Sequence, residues 1–286
     1  MSLLRRLAAK PLRLALQAAG RVYVPGHTLE DALAIARPLA ADGIACTLGY
    51  FHGNSDSPAG VARAAMAIAA AVAELDPPGY LSLKAPALGY DLGLLGAVLG
   101  EARTRGVLAH FDSHEHPTAE PTLRCVEHAA GLGSPVGLTI PGRWQRSPDD
   151  AEFAARLGVR VRVVKGEWGD PTAPGLDPRQ GFLAVVDRLA GTAPEAAVAT
   201  HDPWLARQAL ARLQAAGTRC ELELLNGLPR RDMLAIAREF GVPVRLYIPF
   251  GIAWRPYALG KAADNPRILW WILRDTASGL LLRLRP

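Results

Sequence analysis

The chain has 286 residues, half of them hydrophobic, and 32 lysines and arginines against 27 carboxylates give it a net charge of +5. This length and apolar fraction support one large core, and α/β barrels of this size form a single domain. Cys46, Cys125 and Cys220 stand far apart with no CxxC pair, which argues against a disulfide framework or zinc knuckle and suits the reducing cytoplasm. No apolar run reaches the roughly 18 residues of a spanning helix, and no alternation of basic and aromatic residues marks a nucleic-acid module.

Residues 1–21 are basic and leucine-rich without an acid. They read as an amphipathic helical extension, packed on the domain or docked peripherally on the inner face of the cytoplasmic membrane. They lack the long apolar centre and cleavage site of a signal peptide. Residues 22–286 then form one domain. It opens on Thr28-Leu29-Glu30-Asp31, a helix-capping pattern, with Leu33, Ala36 and Leu39 on one helical face.

Eight short, β-rich apolar runs follow: Ile44–Leu48, Tyr80–Leu83, Val107–Phe111, Val136–Ile140, Val159–Val164, Ala196–Ala199, Arg219–Leu225 and Val244–Ile248. Helical stretches separate them, at Pro58–Leu75, Leu92–Thr104, Pro121–Leu132, Pro148–Leu157, Arg179–Leu189, Pro203–Ala216 and Arg230–Phe240. Eight βα alternations predict a parallel sheet closed into a TIM-like (β/α)8 barrel. The fifth run is the most informative. Val159–Val164 reads as a buried strand, with Arg162 and Lys165 placed where it emerges and Gly166 allowing close backbone approach to a ligand. Fixed cations at a strand mouth suit an anionic or electron-accepting cofactor.

In such barrels the chemistry sits at the C-terminal strand ends. The polar residues there are Lys84, Asp112, Arg162 with Lys165, His201, Glu223 and Tyr247, from six different strands. Their convergence on one mouth predicts a site. A second feature fits another class: His110-Phe111-Asp112-Ser113-His114-Glu115-His116 is dense in metal-ligand types, as in a divalent-metal barrel enzyme, although its spacing matches no H-E-x-x-H pattern.

From about Gly20 to Leu273 the chain resembles the proline dehydrogenase family. Arg162-Val163-Val164-Lys165-Gly166 looks like its R-L-V-K-G segment, and Gly26–Leu33 like its G-x-T-x-x-x-A-L helix. Thr47-Leu48-Gly49-Tyr50 resembles T-x-x-L-G-E, with Tyr50 for the Glu. Lys84 falls on the strand ending in Lys, and Asp112 on a D-x-E turn with His114 for the Glu. Ala199-Thr200-His201-Asp202 resembles A-T-H-N, and Tyr247–Gly251 with Pro256-Tyr257 and Asp264-Asn265 resembles the closing Y-x-P-x-G … E-N.

The resemblance implies a distorted (β/α)8 barrel carrying FAD. The implied reaction oxidises L-proline, or a related cyclic or secondary amino acid, to the imine (1-pyrroline-5-carboxylate for proline), with electrons passed to a quinone. It places Lys84, Asp112, Tyr247, Tyr257 and Lys261 against the substrate. Arg162, Lys165, Gly166, Thr200, His201 and Asn265 fall to the cofactor. Reduced flavin accumulates negative charge that nearby cations stabilise.

The departures cluster at the same places. The family's carboxylate-forking arginine pair falls on Gly260 and Lys261, and an ammonium does not replace a guanidinium there. Pro141 and Glu223 stand where the family has glutamines beside the flavin, Glu167 replaces a small residue, and Arg255 is a candidate substitute guanidinium. Two readings therefore stand beside the flavoenzyme: a metal-dependent barrel enzyme, and a non-catalytic relative.

Overall fold

The computed structural model describes residues 26–252. Within them, α1 (Leu29–Ala41) leads into an alternation of strands and helices. The strands are β1 (Ala45–Tyr50), β2 (Tyr80–Leu83), β3 (Ala109–Phe111), β4 (Val136–Pro141), β5 (Arg160–Val164), β6 (Glu195–Ala199), β7 (Arg219–Leu225) and β8 (Val244–Phe250). The intervening helices are α2 (Pro58–Ala73), α3 (Leu92–Thr104), α4 (Ala119–Gly131), α5 (Ser147–Arg156), α6 (Pro178–Leu189), α7 (Pro203–Ala215) and α8 (Arg231–Phe240). All eight strands are parallel, and β8 pairs with β1 to close the barrel. Each predicted strand is present, with ends shifted by at most two residues. The expected helical extension over residues 1–21, like Arg255, Tyr257, Gly260, Lys261 and Asn265, lies outside the described residues.

Local chemistry explains the elements. The Thr28 hydroxyl accepts from the Asp31 amide while the Asp31 carboxylate accepts from the Thr28 amide, a reciprocal cap that starts α1. Asp91, Asp177 and Asp202 cap α3, α6 and α7 by accepting from amides of the first turn. Leu33, Ala36 and Leu39 are buried where α1 packs on β1 and β8. The outward residues of the strands, among them Leu48, Leu81, Val161, Val163, Val198 and Leu222, are fully covered by the helices.

One contact sets how closely a helix approaches. A Cβ on Gly181 in α6 would strike the Gly142 carbonyl, and one on Gly142 would strike the Phe182 backbone. The α6 helix seats backbone on backbone against the end of β4. Gly181→Ala is expected to lose about 1–3 kcal/mol of stability by overpacking, despite the better helix propensity of alanine. A urea midpoint equal to that of the unsubstituted protein would show that the contact relaxes freely.

The barrel interior departs from the apolar layers usual in this architecture. The inward residues of β5 are Arg160 and Arg162, only 4% and 5% exposed. Arg162 lies within β5, two residues before its end, with its side chain buried. Opposite stand Glu221 and Glu223 of β7 and Arg245 of β8, all buried. Arg160 bonds Glu195 at 2.8 Å, Glu221 and Glu223, and Arg245 bonds Glu221 at 2.8 Å. The Arg160 and Arg245 guanidiniums both lie over the Tyr80 ring, 5.1 and 3.5 Å from its centre. Buried charges persist only when paired and hydrogen-bonded, and these are.

Candidate active site

A cavity of about 420 Å³ opens at the C-terminal ends of the strands. Six of the predicted strand-end residues line it: Lys84, Asp112, Arg162, His201, Glu223 and Tyr247. Gly166 and Thr200 also line it, as do Phe51, Trp144 and Trp168. Lys165 does not. The inward face of β5 carries residues 160, 162 and 164, so Lys165 falls on the other parity; it lies close enough to His201 to act on it electrostatically.

Asp112 organises the floor. Its Oδ2 accepts from Ser82 Oγ at 2.5 Å, Tyr247 Oη at 2.9 Å and Lys84 Nζ at 3.3 Å. Its Oδ1 accepts from Arg162 Nη1 at 2.9 Å. Burial alone would raise this carboxyl, but the Lys84 and Arg162 cations outweigh it and hold it below its ordinary value. Burial lowers the Lys84 ammonium, with Asp112 opposing. Burial, reinforced by Asp112, holds the Tyr247 phenol well above its ordinary value, so it stays protonated and donates. Gly49 makes room for this arrangement: a Cβ there would strike the Tyr247 hydroxyl.

Arg162 is gripped from two sides. Besides Asp112 it donates through Nη2 to Glu223 Oε1 at 2.5 Å and through Nη1 to Thr139 Oγ1 at 3.2 Å. Its Nε is buried without a partner. The negative charge that Glu223 brings to a position where the family has glutamine is thus paired with Arg162. Burial would raise Glu223, but Arg162 and Arg160 outweigh it, and it stays ionised as their counter-ion.

His201 is spoken for by backbone. Its Nε2 accepts from the Leu225 amide at 3.0 Å, so Nδ1 carries the proton and faces the Pro229 carbonyl at 3.0 Å. It offers the cavity a ring surface and no free nitrogen. The Thr200 hydroxyl accepts from the Asp202 amide at 3.1 Å, which tightens the turn into α7.

The metal-ligand reading does not survive the geometry. His110 is inside the barrel, between Thr139 Oγ1 at 2.9 Å and Arg160 Nη1 at 3.3 Å, a cation where a metal would have to approach. His114 stacks on Trp168, and His116 meets the edge of Trp144 and lies 3.7 Å from Asp170. Among the described residues no three metal-ligating side chains gather.

Burial pushes both His114 and His201 down to about 4 from an ordinary 6.5. Above pH 6.5 both are neutral folded or unfolded and contribute no pH dependence. Between 6.5 and about 4 the unfolded chain takes up protons that the fold refuses, so stability falls with pH. The slope is at most about 1.4 kcal/mol per pH unit for each histidine, and it flattens below 4. Urea midpoints at pH 7.5, 6, 5 and 4 measure this. A flat profile from 7.5 to 5 would mean that neither ring is held neutral.

Sequence reasoning missed Ser82, Thr139, Phe51, Trp144 and Trp168. The Arg160-x-Arg162 and Glu221-x-Glu223 spacings mark one shared face on each strand but do not say whether that face is inward or wet.

No family model matches the chain. It is similar to proline dehydrogenase 1 of Bacillus subtilis (strain 168), 26% identical over 270 residues and spanning 89% of each chain. It is similar also to the proline dehydrogenase of Deinococcus radiodurans, 27% identical over 280 residues and spanning 90% of this chain and 89% of that one. The fold matches proline utilization A (PutA) from Bdellovibrio bacteriovorus inactivated by N-propargylglycine, with a TM-score of 0.72 at 14% identity. It matches PutA from Bradyrhizobium japonicum with a TM-score of 0.71 at 18% identity. Those two matches cover 87% and 94% of this chain but only 33% and 35% of the PutA chains, and show the fold alone.

Proposed function

We propose that this chain, a divergent relative of the proline dehydrogenases, oxidises the C–N bond of L-proline or a related cyclic or secondary amino acid to the imine, with FAD as its cofactor. The observation that carries this reading is the Asp112 cluster, with Lys84, Arg162, Ser82 and Tyr247 gathered on one carboxylate at the floor of the cavity. The similarity over nine-tenths of two curated proline dehydrogenases supports it.

The residues present fit a flavin. The cavity size suits a buried cofactor, and its walls combine Trp144, Trp168 and Tyr247 with the cation Arg162. Arg162 Nε is a buried donor awaiting an acceptor. Gly166, at φ +88°, brings bare backbone to the wall, where a Cβ would meet Pro141 at 2.6 Å. Arg162, Gly166, Thr200 and the His201 ring would hold the cofactor, with Lys165 outside the wall for its phosphates. Bound there, a flavin supplies the two-electron acceptor for hydride from the carbon beside nitrogen.

The chain's own residues do the rest. Asp112, kept ionised, holds the Lys84 ammonium and the Tyr247 hydroxyl in fixed positions against the substrate ring. Such preorganised polar groups need no rearrangement as the transition state forms. Phe51, with Lys84 Nζ 4.1 Å from its ring centre, helps exclude water. Electrons then pass to a quinone. The basic, leucine-rich residues 1–21 give the protein a peripheral footing on the inner face of the cytoplasmic membrane; no helix among the described residues is long and apolar enough to cross one.

A visible spectrum of the purified protein, before and after anaerobic addition of L-proline, tests the reading. A flavin band that bleaches supports it. A colourless protein that takes up no added FAD overturns it.

A further inference from the structure

Thr139 stands in β4, 8% exposed, in the wall of the mouth cavity. Its register partner across the β4–β5 pairing is Arg162. Three contacts decide what its hydroxyl can do. Arg162 Nη1 donates to Thr139 Oγ1 at 3.2 Å. His110 Nε2 lies 2.9 Å from the same oxygen. The other nitrogen of that ring, Nδ1, lies 3.3 Å from Arg160 Nη1.

A guanidinium can only donate, so His110 Nδ1 is the accepting nitrogen and Nε2 carries the proton. The ring is fully buried, and burial together with Arg162, Arg160 and Arg245 keeps it neutral, so it has one N–H and no second. His110 therefore donates to Thr139. The Thr139 oxygen accepts from two donors, which occupies both of its lone pairs. Its own hydrogen is bonded to no acceptor among the described residues. Such a buried donor is costly to leave unmade, and the open space beside it is the cavity. Arg162 Nε on the neighbouring strand is likewise buried without a partner. Two adjacent strands leave two unused donors at one wall.

We infer that Thr139 is a cofactor-contacting residue, its hydroxyl held by His110 and Arg162 so that it donates to an acceptor on the flavin ring that gains negative charge on reduction. The inference rests on the flavin reading above and adds a residue to it. The cofactor side of the cavity is the side Thr139 occupies. Its strand adjoins β5, which carries Arg162 and leads into Gly166, and a Cβ on Gly166 would meet Pro141 at the end of β4. Lys84 and Tyr247, set against the substrate, belong instead to β2 and β8. A hydroxyl whose lone pairs are both fixed needs no reorientation as charge develops on its acceptor.

The protein reconstituted with FAD tests this through two variants. Thr139→Val keeps the shape and removes the O–H, and Thr139→Ser keeps the O–H. Flavin fluorescence gives the dissociation constant, and anaerobic dye-linked titration gives the two-electron potential. Thr139→Val is expected to bind oxidised FAD about tenfold more weakly, the size of one hydrogen bond. Its potential should fall by about 30 mV, a further tenfold loss for the reduced form. Thr139→Ser should restore both values. A threonine that only braced Arg162 would weaken both redox forms alike and leave the potential in place. An unchanged or raised potential in Thr139→Val therefore overturns the inference, as does a Thr139→Ser variant that behaves like Thr139→Val. If Thr139→Val does not fold, Thr139→Cys, whose thiol is a weaker donor, must show a fall in potential, and its absence overturns the inference equally. A parent protein that takes up no FAD refutes the flavin reading and this role with it. A parent that binds FAD, with the potential unmoved in the variant, refutes the role alone.

Discussion

Arg162→Met is expected to destabilise the barrel by about 3–5 kcal/mol, the range for breaking a buried ion pair by removing one partner. The side chain is similar in length, so little volume is lost. What remains is an unpaired deficit. Glu223 loses its 2.5 Å partner while nearly inaccessible to water, and Asp112, partly buried at the cavity floor, loses its 2.9 Å partner. For a domain of this size the drop corresponds to roughly 6–20 °C in Tm. Thermal unfolding followed by circular dichroism measures it. Adding Glu223→Gln to Arg162→Met should return part of the loss, since it removes one of the two stranded charges. A single variant within 1 kcal/mol of the parent, or a double variant worse than the sum of the singles, would refute the pairing.

Asp112→Asn is expected to slow flavin reduction by about 10²–10³-fold, comparable to removing one preorganised electrostatic group from an active site. The amide keeps the size but loses the charge that four donors share. Burial already lowers the Lys84 ammonium, and Asp112 is the largest influence opposing that. Without the carboxylate, Lys84 should release its proton at lower pH, and the Tyr247 hydroxyl loses a charged acceptor. Stopped-flow reduction across pH 6–9 tests both consequences. The variant should be slower throughout, with the alkaline or acidic limb attributable to Lys84 moved downward. Reduction within threefold of the parent at all pH values would place the chemistry away from Asp112.

The architecture was legible because its signal is repetitive. Eight apolar runs, each followed by a helical stretch, leave few topologies open, and Thr28 with Asp31 announces α1 at the residue where it begins. Six of the seven strand-end residues were legible for a related reason: a closed parallel barrel carries every strand's C-terminal end to one rim. Lys165 does not line the cavity wall, because β5 turns residues 160, 162 and 164 inward, and the valines on both sides of each arginine leave that parity undecided in the sequence. The interior charges were hidden for a deeper reason. In a parallel barrel both strand faces are covered, so Arg-Val-Arg-Val and Glu-Leu-Glu-Leu look like strands with one wet face. Only the partners, 61 and 63 residues away in sequence, reveal those faces as buried. Trp144 and Trp168 come from loops, where no periodicity points to a wall position.

The charge-threaded barrel also constrains how this sequence can drift. In a hydrocarbon core, leucine and methionine exchange one at a time at modest cost. Here Arg160 answers to Glu195, Glu221 and Glu223, and Glu221 answers in turn to Arg245. Changing any one leaves another stranded, so viable descendants must alter these positions in compensating sets or not at all. Randomising Arg160, Glu221 and Arg245 together and selecting for folded protein should recover triplets that keep a cation at 160 for Glu195 and Glu223 and a cation beside any carboxylate at 221, with triplets that strand a charge nearly absent.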